Sequence, residues 1–249
     1  MPHRALAAPP RPWLSGVAVG ALTRPRTVAE PPDHATTLAL RTVPHRAPEL
    51  VVMGPRTAAL HADGVPGPSC ALLRLRPGHA RSLLGRSLLG LADRAVPLRD
   101  LRDGLAPELA DLADGDPAGL TVGSLLTTLD TVLDAARPAP DPLLADAAAM
   151  LAAGADVRGA ARRLHVGERH LRTLFADGLG VGPKRFARIE RVRTVLARAG
   201  EGQWRRLAAE AGYFDQSHMT GEFRRLMGTT LTDHTRGRLP TATACAGDR

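Results

Sequence analysis

A chain of 249 residues with 44% hydrophobic side chains can bury one large core or two ordinary ones, which excludes wholesale disorder. No run approaches the roughly 18 consecutive apolar residues of a membrane helix; Cys70 and Cys245 form no metal or redox pattern and point to a reducing cytoplasm rather than a disulfide-stapled secreted scaffold. The net charge of +8 favours an anionic partner and is concentrated: Arg158–Arg225 holds 15 basic against 7 acidic residues, whereas residues 1–140 hold 15 against 13.

Residues 1–34 are rich in Pro and Ala without periodicity and read as a loose segment. Within them "WLSGVAVGALT" is a ragged terminus or a first strand rather than a cleaved signal. From Ala35 to about Arg76 the short runs "TTLALRTV", "ELVVM", "TAALHA" and "CALLRLR" alternate with turn signals and predict strands of a small sheet. "RPGHARSLLG" predicts a turn into a short helix, and leucine spacing predicts helices over 98–112 and 120–136. The stretch "ARPAPDP" predicts a linker at 137–142. Beyond it all reads as helix broken at glycines, over 143–236, with a tail at 237–249. The expected fold class is α+β: a sensor or dimerisation domain of strands then helices over 35–136, followed by an all-α domain.

The basic half contains a repeat. "AARRLHVGERHLRTLF" (160–175) and "LAAEAGYFDQSHMTGEF" (207–223) each place small residues on a first helix, then a tight turn, then a second helix ending on a buried phenylalanine. That is the layout of a helix-turn-helix, with Ala161 and Ala208 standing 47 residues apart. Between the units "PKRFARIERVRTVLARAG" predicts a rod opened by Pro183, with a stripe of Phe186, Ile189, Val192, Leu196 and Ala199. Such a rod suits recognition helices held about one DNA turn, roughly 34 Å, apart. In the second unit His218, Met219 and Phe223 are expected to face in, and Asp215 to favour the helix start.

The segment from about Pro142 to His234 resembles the DNA-binding domain of the AraC/XylS family of transcription regulators. The resemblance rests on "AARRLHVGERHLRTLF", "GVGPKRFARIERV" and "AGYFDQSHMTGEFRRLMGTT", covers about 40% of the chain, and implies seven helices in two helix-turn-helix units that bind asymmetric promoter sites. The sequence departs from the family at Gly167, which replaces a capping serine, and at Met219, Gly221 and Leu231. By resemblance Arg169, Thr173, Gln216, Ser217 and Thr220 match base-contacting positions; Arg172, three residues from Arg169, shares its face. Arg188, Arg191, Arg205, Arg206, Arg224 and Arg225 are expected at phosphates, with some pairing instead to Glu190, Glu210 or Glu222.

"ALLRLRPGHARSLLG" and "LADRAVPLRDL" look like the short sensor-like N-terminal domain of some family members and name no ligand. His34, His45, His61 and His79 lack the close pairing of a metal-binding barrel, so neither metal nor cofactor is expected. A small-molecule effector pocket and a pure dimerisation or partner-contact role both stay open there. The expectation is a cytoplasmic, nucleoid-associated, non-enzymatic regulator, monomer or homodimer, whose partners are double-stranded promoter DNA, RNA polymerase and an effector. The rivals are an enzyme with a DNA-targeting C-terminal domain, and an RNA binder, which the scarcity of aromatics (3%) disfavours.

Overall fold

The computed structural model describes residues 4–5, 11–21, 26–64, 66–115, 119–135 and 141–237. Strands come first: β1 (Arg4–Ala5), β2 (Leu14–Ala21), β3 (Arg26–Glu30), β4 (Thr37–Thr42), β5 (Glu49–Met53), β6 (Leu60–Gly64), β7 (Ser69–Leu75) and β8 (Ala95–Pro97). Among the described residues six of them form an antiparallel sheet in the order β1-β2-β7-β4-β5-β8, while β3 and β6 pair separately. The register is fixed by pairs such as Leu38↔Leu73 and Leu38↔Val52, which alternate one apolar face toward the core. Helices α1 (His79–Leu84), α2 (Pro107–Asp114) and α3 (Val122–Ala135) cover that face. Leu83, Leu84, Leu109, Leu125 and Leu129 join Leu38, Val52 and Leu73 in one core.

The class is therefore α+β, with the four runs from Thr37 to Leu75 forming strands. Two details differ. The segment read as loose holds β2 and β3; of the two readings of residues 14–21 it is the first strand that forms, because β7 and β1 pair along both its edges. The helix expected over 98–112 is a 3-10 turn at Leu98–Leu101 followed by α2, since Pro107 cannot occupy a helix interior and opens a new helix instead. The linker at 137–142, up to residue 140, and the tail from residue 238 lie outside the described residues.

From Pro142 onward seven helices are described: α4 (Pro142–Ala152), α5 (Val157–Arg163), α6 (Glu168–Leu179), α7 (Pro183–Arg198), α8 (Trp204–Glu210), α9 (Gln216–Met227) and α10 (Leu231–Thr235). They carry two separate cores. Leu144, Ala160, Leu171, Phe175 and Phe186 close the first; Val192, Val195, Leu207, Met219, Phe223 and Leu226 close the second. The apolar stripe of α7 serves the first core with its N-terminal half and the second with its C-terminal half.

Candidate nucleic-acid interface

Helices α5 and α6 make one helix-turn-helix, α8 and α9 the other. Both turns close in the same way: the N–H groups of His165 and Val166 donate to Arg162 O and Ala161 O, and those of Gly212 and Tyr213 donate to Ala209 O and Ala208 O, each 47 residues on. The second helices pack closely because Ala160, Ala161, Ala208 and Ala211 are buried. The left-handed position of each turn is His165 (φ 55°) in the first unit and Gly212 (φ 75°) in the second. Histidine tolerates that conformation better than most side chains, and glycine takes it without strain.

The two recognition helices start differently. On α9 the Asp215 carboxylate accepts from the His218 N–H at 2.7 Å, a side-chain cap as well as an acid at the positive end of the helix. On α6 the cap position is Gly167, and no side chain caps it.

The faces turned to solvent are those the sequence marked. Arg169, Arg172 and Thr173 are exposed on α6; Ser217 is exposed on α9, with Gln216 and Thr220 half-buried. Arg172 pairs with Glu168 at 3.1 Å, an exposed i,i+4 pair of little energetic weight. Arg169 makes no ion pair with a described residue. Thr173 and Thr220 donate to the carbonyls of Arg169 and Ser217, which leaves their oxygens free to accept.

His218 corrects one expectation. It is exposed, and its ring sits edge-on to Tyr213 at 5.3 Å. The buried stripe of α9 runs through Met219, Glu222, Phe223, Leu226 and Met227, and His218 lies on its flank.

The arginines divide into two sets. Arg205, Arg224 and Arg225 are exposed and make no ion pair with a described residue. Arg188 and Arg191 of α7 instead grip Glu222 of α9, each at 2.8 Å, with the Glu222 side chain only 4% exposed. Burial works against the charged Glu222 carboxyl, but Arg191 and Arg188 outweigh it and hold it below the usual carboxylate range. Arg206 pairs with Glu210, which Arg198 also holds. The sequence allowed for such pairing; that Glu222 would be buried while tying two helices together had no local signal.

Gly221, in mid-helix on the exposed face of α9, has nothing within 4 Å of where a Cβ would stand. Gly221→Ala should therefore stabilise the protein by roughly 0.5–1 kcal/mol, read from a denaturant midpoint. A loss of stability would show that this backbone is not an ordinary helix.

The sheet domain touches both units. Ala59 N–H donates to Leu226 O, and His61 Nε2 lies 3.0 Å from Met227 O, at the end of α9. Leu88 N–H donates to Asp177 O near the end of α6, where Gly180 (φ 73°) admits no side chain: a Cβ would lie 2.8 Å from Leu88 O. On α7, His34 Nε2 is 2.8 Å from Glu190, and the His34 ring lies 4.3 Å from that of Phe186. Asp33 is held between Arg74 (2.7 Å) of the sheet and Arg193 (3.1 Å) of α7. Burial again opposes the charge, and Arg74 with Arg193 and His34 overcomes it, so the Asp33 carboxyl lies far below its ordinary range. A cavity of about 300 Å³ opens here, lined by Val17, Met53 and Leu72 of the sheet and by Asp33, Arg74 and Arg193. Among the described residues no group of three His, Cys, Asp or Glu side chains could hold a metal, and no helix is long and apolar enough to cross a membrane.

Residues 160–237 match a family model described as a helix-turn-helix domain. Among solved structures, the C-terminal domain of AraT, a response regulator from Geobacillus stearothermophilus, is similar at 17% identity over 41% of this chain and 89% of that one, with a TM-score of 0.37. ToxT from Vibrio cholerae is similar over 88% of this chain and 97% of its own at 8% identity and a TM-score of 0.45. Unsaturated fatty acid bound ToxT aligns over 93% and 97% at 12% identity and a TM-score of 0.44. No curated protein matches the chain.

Proposed function

From a chain whose residues 160–237 form an AraC-type helix-turn-helix domain, we infer a sequence-specific regulator of transcription that reads double-stranded DNA through α6 and α9. The observation that carries this reading is the repeat itself: two turns with the same hydrogen bonds 47 residues apart, each followed by a helix that offers hydrogen-bonding side chains to solvent. Helix α7, 16 residues and so about 24 Å long, separates the units and supports tandem engagement of successive major grooves. Arg169, Arg172, Thr173, Gln216, Ser217 and Thr220 contact bases; Arg205, Arg224 and Arg225 neutralise phosphates. Arg188, Arg191 and Arg206 reach phosphates only by sharing or leaving their glutamates.

Residues 143–236 form the reading domain, and the sheet domain controls it. The support is the cavity between them: an occupant would touch Arg74 of the sheet and Arg193 of the rod at once, so a small effector there biases the position of α7.

The test is Arg169→Ala on a site selected by the full-length protein from random DNA. Affinity for that site should fall about 5–150-fold, the worth of a bidentate base contact, with little change on random DNA. Equal losses on both would assign Arg169 to phosphate, and failure to select any site would overturn the reading.

A further inference from the structure

The two turns are alike up to Val166 and Tyr213, but the second helix of each unit begins 48 residues apart rather than 47. The second turn has gained one residue, and that residue is Phe214. Its neighbours are fixed. Tyr213 is buried, with the Arg191 guanidinium 5.1 Å from its ring centre, and Asp215 is the cap of α9. Phe214 itself is 95% exposed, next to the positive end of a helix whose outward side chains are polar. Chain geometry thus forces a large apolar ring into water at the tip of the second unit, with its backbone held on both sides.

Resting on the DNA-reading function above, we propose that Phe214 is a specificity-determining residue: its ring packs on the C5-methyl group of a thymine in the major groove entered by α9. A phenyl ring has no hydrogen bond to offer a base edge, and the thymine methyl is the one apolar feature that edge presents. Because the ring is already presented by a capped, hydrogen-bonded turn, little freedom is lost on contact.

The experiment uses the full-length protein and its selected site. Each thymine in the half bound by the second unit is replaced in turn by deoxyuridine, which removes only the methyl group, and binding is followed by fluorescence anisotropy. One replacement should weaken the wild type about 4-fold, the value of one buried methyl-sized group. Phe214→Ala should bind the thymine and deoxyuridine forms equally, at roughly the weakened affinity, with an unchanged melting curve. A half-site without thymine, a wild type indifferent to every replacement, or a variant that keeps the thymine preference would each overturn the proposal while leaving the regulator reading intact. Failure of the wild type to select any site would overturn both.

Discussion

Glu222→Ala is expected to lower the melting temperature of the protein by about 5–15 °C. The substitution removes a carboxylate that is almost wholly buried and strands two guanidiniums, Arg188 and Arg191, that it holds at 2.8 Å. Breaking a buried pair in this way costs about 3–5 kcal/mol, and since both arginines remain roughly a third exposed, about 2–4 kcal/mol is the better figure here. Each kcal/mol shifts the midpoint by about 2–4 °C in a chain of this size. The same variant frees two cations beside the proposed DNA surface, so binding to random DNA should strengthen and become more sensitive to salt. A midpoint change under about 2 °C would show that α7 and α9 are held by their apolar contacts alone.

Asp33→Ala should cost the full-length protein about 2–4 kcal/mol by the same reasoning, since Arg74 and Arg193 lose their shared partner at the boundary of sheet and rod. Differential scanning calorimetry should show the loss, and an unchanged trace would mean that the boundary does not need this ion pair. The pH dependence has a definite sign. Asp33, Glu190 and Glu222 all have folded pKa values below their unfolded ones. The stability they contribute is therefore fully present above the ordinary carboxylate range near pH 4 and is lost as pH falls from there toward the folded values. Asp33→Ala should flatten that acid limb, because one of the carboxylates that make it is gone.

What was legible in the sequence was local. The turn at Gly212, the Asp215 helix start, the opening of α7 at Pro183 and the buried alanines all follow from spacing within one or two turns of helix. Strand β2 was harder, since Gly16 and Gly20 dilute its alternation and its place depends on pairing with the distant β7, as in Val17↔Leu73. The bridge from Asp33 to Arg193 and the seat of His34 on Phe186 join residues about 150 apart or more, and no periodicity reports such contacts. His218 was misplaced because a helical stripe has flanks as well as a centre. Phe214 was passed over although the one-residue mismatch is in the spacing: the paired alanines stand 47 residues apart and the paired phenylalanines 48, and the helix boundaries show where the extra residue falls.

The interiors of the two helix-turn-helix units are closed by different residues, sharing only the rod that runs through both. Repacking inside one unit therefore leaves the other undisturbed. If both units read DNA as proposed, a lineage carrying this architecture can drift in what one half prefers while the other half keeps it anchored to old targets.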